Sequence, residues 1–270
     1  MSLQNRIIII GNKSFIQTNF YKFFNKRLKV QKLKFSKIDA FKFNENDIVI
    51  NCSQDIKFFT ENYKKKNDRN FKIAKIASSK NLQLVLLSSR NVYKPKLNIN
   101  EKSNTKPIDI YGENCLKSEN NCKKILRKLT ILRLSNVIGI ESMKKKRLSL
   151  MSKLINGVKK KHVQFDNSYE WYKDLIPIRI FCLYLEKILL KKYYGVLNVG
   201  SGYKIKISDF IKYLNLNKKI KITIKYENIA KHEYSYKISK LKKITNINIS
   251  KKLLIKEFNN IGKSIQNLKC

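Results

Sequence analysis

The side chains able to do chemistry in this sequence gather where apolar runs end. Arg6 to Ile10 gives way to Gly11 in GNKSFIQ, LVLL to Ser88 and Ser89, and TILRL, which carries Arg133, to Asn136. Asp174 precedes LIPI, and LNV runs into GSG. A further block, PIDIYGENCLKSE, holds Asp109, Tyr111, Cys115 and Glu119. These hydroxyl, phenol, amide and carboxylate groups suit hydrogen bonding and proton transfer. A glycine turn that opens a helix can also face an anion. Metal chemistry is a poor match, because His162 and His232 are the two histidines and the five cysteines (Cys52, Cys115, Cys122, Cys182, Cys270) lack paired C-x-x-C spacing. No metal site is expected, and the odd, scattered cysteines read as reduced thiols rather than a disulfide framework.

These residues are positioned by alternating strands and helices. Arg6 to Ile10 reads as a strand and Ser14 to Lys26 as an amphipathic helix. A Lys-alternating run near Leu28 to Phe35 and a buried-type strand at Asp47 to Cys52 follow. The pattern then predicts one long helix through Phe58 to Ser79, a strand at Leu82 to Leu87, a polar loop over 94–106, a helix from near Ile108 to Lys128 and a strand at Thr130 to Leu134. Such alternation predicts an α/β fold with a Rossmann-like, doubly wound parallel sheet, whose ligands bind beyond the carboxyl ends of the strands. Past Gly139 the rhythm loosens into a basic helix at about Lys144 to Val158 and an extended piece at Val163 to Phe165. Asp174 to Ile178, with a helix to Lys191, and Val196 to Val199 read as returns to the sheet. The expected division is a nucleotide-binding domain over 1–140, rejoined by 174–200, and a smaller substrate-binding lobe from 141–173 and 201–270.

At 270 residues and 43% hydrophobic content the chain can fill such a core. The formal charge of +40 would attract polyanions. Only eight of the 59 basic residues are arginine, however, and four alanines stand beside abundant Lys, Asn and Ile, the skew of AT-rich coding. Lysine is spread evenly, and its densest runs (Lys64 to Lys66, Lys144 to Arg147, Lys159 to Lys161) lack interleaved aromatics for base stacking. No specific nucleic-acid binding is expected beyond salt-sensitive adsorption. No apolar run reaches eighteen residues and the N-terminus has no signal-peptide pattern, so no membrane partner and a cytoplasmic location are expected.

Taken in order and spacing, LVLLSSRNVYKP, PIDIYGENCLKSE, LRLSNVIG, YKDLIPI and LNVGSG resemble the extended short-chain dehydrogenase/reductase superfamily, in its NAD-dependent epimerase/dehydratase branch that acts on nucleotide sugars. The resemblance spans nearly the whole chain. It implies that Ser89, three positions before Val92, is the catalytic hydroxyl and Tyr111 the acid/base toward a sugar hydroxyl or carbonyl. The phenol must then be acidified well below about 10, which in the family is the task of a lysine four residues on. That position is Cys115 here, while Glu119 keeps the family's acidic residue and fixes the register. The family's glycine motif is reduced to Gly11, Ser14 and Gln17. Gly11, Ser14, Phe15, Ile16, Asn51 and Asn67 are the implied contacts of NAD or NADP, and Ser36 and Lys37, where an acidic residue would bind the ribose, lean toward NADP. Asn136, Arg133 and Asp174 are the implied substrate contacts.

The implied function is an NAD(P)-dependent nucleotide-sugar epimerase, dehydratase or reductase in surface polysaccharide assembly. A homodimer through the helices after Phe58 and Ile108 is also implied. Cys115 and Gln17 leave open a second reading, a catalytically impaired homologue that binds nucleotide or a protein partner without turnover. Individually, Gly11 also reads as an ordinary turn, Ser88 and Ser89 as strand-end caps and Tyr111 as a packed aromatic. Arg133 and Asp174 also read as ties between the lobes.

Overall fold

A computed structural model describes residues 5–140, 149–216, 220–226 and 231–268. In chain order the elements are β1 (Ile7–Ile10), α1 (Phe15–Phe24), β2 (Val30–Leu33), β3 (Ile48–Asn51), α2 (Lys57–Thr60), α3 (Arg69–Ser79), β4 (Gln83–Ser89), α4 (Ile110–Ile125), β5 (Leu129–Leu134) and β6 (Asn136–Ile138). Then come α5 (Leu150–Lys160), β7 (His162–Phe165), β8 (Tyr172–Lys173), β9 (Leu175–Pro177), α6 (Ile178–Leu190), β10 (Gly195–Val199), β11 (Ile205–Lys206), α7 (Ile207–Leu214), β12 (Lys221–Ile224), α8 (Ser239–Thr245) and α9 (Lys251–Gln266).

Six strands form one parallel sheet in the order β10-β5-β4-β3-β1-β2. The four isoleucines of β1 are fully buried, each contributing roughly 1.5–3 kcal/mol by leaving water. Because successive residues of a strand point to opposite faces, Ile7 and Ile9 pack with Phe20 and Phe24 of α1 and Phe181 of α6. Ile8 and Ile10 pack with Ile73, Ala74 and Ala77 of α3 and Cys122 of α4. Both faces are therefore covered, which is why the strands read as continuous apolar runs rather than alternating ones. The chain turns one way from β1 to β2 and the other way from β1 to β3, so the switch point, where such sheets open a crevice, lies beyond Ile10 and Asn51.

Two sequence expectations are corrected. The long helix over 58–79 is broken: α2 ends at Thr60, a 3-10 turn spans Lys65–Asn67, and a new helix starts at Arg69. Asp68 causes the break by capping α3, its carboxylate accepting the N–H groups of Asn70 and Phe71. The Asn114 amide ties off α2 by donating to Phe58 O and Glu61 O. Second, of the two expected returns, β10 joins the main sheet beside β5, whereas β9 pairs with β6 in a separate two-stranded ladder. The basic helix starts at Leu150, with Ser149 and Ser152 forming a capping box; residues 144–148 of the expected span lie outside the described residues. Among the described residues no helix is long and apolar enough to cross a membrane.

A buried ion pair fastens α4 to the sheet. Arg133 on β5 donates through Nη2 to Glu119 Oε2 at 2.6 Å and through Nε to Oε1 at 3.0 Å. The second carboxylate oxygen also accepts the Ser88 hydroxyl, at 2.5 Å. Glu119 is 0% and Arg133 4% exposed, so removing one charge strands the other in the core. Arg133→Met is expected to destabilise the fold by about 3–5 kcal/mol, and Arg133→Met combined with Glu119→Leu to recover much of that loss in urea unfolding. A single-variant loss under about 1 kcal/mol would show that the pair does not hold the helix.

Candidate active site

The turn after β1 is built differently from a glycine-rich loop. Gly11 leads into Lys13, whose left-handed φ of 52° carries the reversal, so the strained position belongs to Lys13 and not to Gly11. Ser14 caps α1 by accepting the Gln17 N–H at 3.2 Å. Gln17 is 3% exposed. Its amide nitrogen donates to Ile9 O at 3.0 Å, and its oxygen accepts the Lys13 N–H at 2.9 Å. A Cβ on Gly11 would sit 3.0 Å from Gln17 Cδ, so the glycine leaves room for this side chain beneath the turn. Gln17 is therefore not an obstacle in the cleft. It is a buried brace, and Ser14, Phe15 and Ile16, at the positive end of α1, form the cleft wall.

The other wall comes from the end of β4 and the start of α4. Ser89 Oγ accepts the Asn91 N–H at 3.2 Å, starting the 3-10 turn Arg90–Val92, and its own O–H is left to donate. Asp109 caps α4 through the Gly112 N–H at 2.6 Å and accepts the Asn91 amide at 2.7 Å. These bonds bring α4 so close that a Cβ on Gly112 would lie 2.1 Å from Asn91 O. Tyr111, one residue earlier, is thereby held beside the strand end. Its ring stacks on Phe59 at 5.1 Å and meets the Phe58 edge at 6.4 Å.

Cys115 follows one turn along α4, 4% exposed and hydrogen-bonded to the Tyr111 side chain. Burial pushes its thiol well above its ordinary value, so it stays neutral and supplies no cation to the phenol.

Ser14 to Ile16, Ser88 to Asn91, Tyr111 and Asn136 share one cavity of about 660 Å³. Through Ile16, Cys52, Ser88 and Tyr111 it adjoins an inner pocket of about 200 Å³ lined by Asn51, Phe58, Asn70 and Cys115. Asn51 spends its side chain on Asn70 Oδ1 at 2.7 Å and on the Ser53 N–H at 3.0 Å. Asn67 lies in the 3-10 turn, outside both linings. The helical asparagine of the cleft is instead Asn70, because the helix starts only after Asp68.

Arg133 and Asp174 do not line the cavity. The guanidinium of Arg133 is spent on Glu119 and on the Tyr93 hydroxyl at 2.7 Å. Asp174, 1% exposed, accepts the N–H groups of Ser201 at 2.7 Å and Gly202 at 3.1 Å and the Ser201 hydroxyl at 2.9 Å. Burial raises its pKa and these donors oppose the rise. Sequence reasoning missed Asn70, Asn91, Gly112 and Arg90. For Gly112 and Asn91 the signal was present, in a glycine one residue after the tyrosine and an asparagine two residues after the serine.

Gly112→Ala is expected to force the first turn of α4 away from Asn91 at a cost of about 1–3 kcal/mol. Chemical denaturation checks this: a variant as stable as the parent would mean that the helix and turn are not locked at this approach.

The model of the RmlD substrate binding domain family matches residues 27–168. No curated protein matches the sequence. Among solved structures the chain is similar to a UDP-N-acetylglucosamine 4-epimerase from Methanobrevibacter ruminantium M1 in complex with UDP-N-acetylmuramic acid, with TM-score 0.81 and 15% identity over 100% of both chains. It is similar to an ADP-L-glycero-D-manno-heptose-6-epimerase from Helicobacter pylori, with TM-score 0.79 and 17% identity over 98% of each chain. A dTDP-glucose 4,6-dehydratase from Bacillus anthracis in complex with NAD gives TM-score 0.78 and 15% identity over 98% of this chain and 97% of that one. At such identities the likeness is one of fold, the fold of nucleotide-sugar epimerases and dehydratases. With more than half of its length matched, the chain belongs to the RmlD substrate-binding domain family, within the extended short-chain dehydrogenase/reductase superfamily.

Proposed function

We propose that the chain is an NAD(P)-dependent enzyme acting on a nucleotide-activated sugar. Tyr111 exchanges a proton with a sugar hydroxyl or carbonyl, and Ser89 donates a hydrogen bond to the same oxygen. The observation that carries this reading is that Ser89, Tyr111 and the helix start at Ser14 to Ile16 line one cavity at the switch point of the sheet. The dinucleotide fits what is present: the first-turn N–H groups of α1 suit a pyrophosphate, and Gln17 lies beneath the turn. Lys34, Ser36 and Lys37 after β2 offer positive charge and no carboxylate, favouring a 2′-phosphate. Bound there, NAD(P) would accept hydride from the sugar or return it. Three known structures of similar fold are named for sugar-nucleotide reactions, one of them in complex with NAD. The setting that fits is surface polysaccharide assembly, the protein acting as a cytoplasmic homodimer through α3 and α4.

Cys115 favours a second reading, binding without turnover, because the neutral thiol leaves Tyr111 without the neighbouring lysine of the family. A dinucleotide should raise the unfolding midpoint on the first reading and on the nucleotide-binding form of the second; silence with both NADH and NADPH would sink the first and favour the second in its protein-partner form. Turnover separates the two. On the first, Tyr111→Phe abolishes hydride transfer, and Cys115→Lys, whose side chain has the inner pocket to enter, raises the rate and moves its rising limb to lower pH. A cation one helical turn away favours the phenolate, and each unit of displacement corresponds to about 1.4 kcal/mol. Dinucleotide binding without turnover by the parent, joined to turnover by Cys115→Lys, would favour the second reading.

A further inference from the structure

We propose that Arg90 makes the sugar subsite selective for a carboxylate-bearing sugar, the uronic-acid form of a nucleotide sugar. The inference rests on the reading that this cavity takes a nucleotide sugar. Arg90 stands immediately after Ser89 in the turn Arg90–Val92 and lines the cavity together with Ser89, Asn91 and Tyr111. Its guanidinium lies over the Tyr234 ring at 4.6 Å and donates through Nη1 to Asn91 Oδ1 at 2.9 Å. Its Nε is buried and has no partner among the described residues.

Most other arginines of the fold are satisfied differently. Among the described residues Arg6, Arg27, Arg69, Arg133 and Arg179 each pair with a carboxylate, whereas Arg90 in the cleft, like Arg127 on the exposed turn between α4 and β5, forms no such pair. Asp109 reaches it only indirectly, through Asn91, whose amide donates to the Asp109 carboxylate. A second cation lies behind it: the Lys173 ammonium sits over Trp171 at 5.3 Å. Burial and then the charge of Arg90 lower Lys173 to about 8, while Glu233 beside it is engaged by the Tyr172 N–H and by Lys231. The Lys173 ammonium is held by the His232 carbonyl, so the charge that the cavity wall presents next to the acid/base pair is the Arg90 guanidinium, which no carboxylate neutralises.

A planar guanidinium with free donors is matched by a carboxylate, which it can bind through two parallel hydrogen bonds. The anion is not the ribose 2′-phosphate of a cofactor. Arg90 follows β4, three strands from β2 in the sheet, a separation of about 14 Å at the usual strand spacing. It is not the pyrophosphate at the start of α1 either, because Arg90 stands beside Ser89 and Tyr111, where the reacting end of the sugar would lie. A carboxylate on the pyranose carbon next to the reacting hydroxyl meets both conditions.

The test is isothermal titration of the full chain with pairs that differ only in oxidation at the terminal carbon: UDP-glucose against UDP-glucuronic acid, and GDP-mannose against GDP-mannuronic acid. The uronate of the accepted pair is expected to bind on the order of 10- to 100-fold more tightly. Arg90→Gln, which keeps the stem over Tyr234 and an amide donor, should bring that ratio close to one. Arg90→Lys, which keeps the charge and loses the fork, should recover part of it, and an unchanged unfolding midpoint shows that either variant is folded. Equal binding of both members by the parent, or a preference that survives Arg90→Gln, overturns the inference and leaves the nucleotide-sugar reading standing. Binding of neither pair at millimolar concentration overturns that reading, and the inference with it.

Discussion

The arrangement of the cleft depends on one buried interaction, the ion pair between Glu119 on α4 and Arg133 on β5. The carboxylate receives both the Arg133 guanidinium and the Ser88 hydroxyl, and Arg133 passes the network on to the Tyr93 hydroxyl, which donates to Asn198 Oδ1 at 3.0 Å. Four elements, α4, β4, β5 and β10, are thereby fixed to one another at their carboxyl side. A buried ion pair contributes little net stability, but its geometry is exacting, because a misplaced partner leaves a charge unsolvated. The pair sets where α4 sits, and Tyr111 rides on that helix about 12 Å nearer its start. The same interaction explains why Arg133 is not a cleft residue: its donors are all facing inward.

At the cleft the chain departs from its family at two positions, and they differ physically. Gln17, where a small residue would let the helix approach the strand, compensates by bonding: its amide donates to Ile9 O and accepts the Lys13 N–H, tying the turn to the strand. The turn is thus held by a side chain in place of glycine's freedom, and the left-handed residue moves to Lys13. Cys115 has no such compensation. It packs well, 4% exposed, but a neutral thiol cannot substitute for a cation. The first change preserves a shape, whereas the second alters the electrostatics available to a proton transfer.

Much of the sheet was legible because β1, β3, β4 and β5 are buried on both faces and so appear as apolar β-branched or leucine runs that end at Gly11, Cys52, Ser89 and Ser135. The break between α2 and α3 was not, because hydrophobic periodicity continues across it; the competing signal was a single capping carboxylate, Asp68, and it moved the useful asparagine from position 67 to 70. Residues of the cleft that follow a strand or begin a helix, namely Ser89, Tyr111, Ser14 and Asn136, could be placed from order alone. Arg133 and Asp174 could not be, since the partners that turn them inward lie 14 and 27 residues away along the chain, and nothing in the local pattern shows which way a charged side chain faces at a strand end.

The composition hides a division of labour between the two kinds of basic residue. Lysine supplies most of the +40 and is spread over the chain. The field of such exposed charges extends only about 8 Å at physiological ionic strength, so it steers anions toward the molecule without choosing among them. The arginines are few and mostly committed to carboxylates, which makes their placement informative in a way that the lysines' is not. A guanidinium that remains unpaired inside a partly desolvated cleft acts at short range, where solvent screens it least. Selectivity therefore follows from where the few arginines are left unmatched, and net charge sets only how readily an anionic ligand arrives.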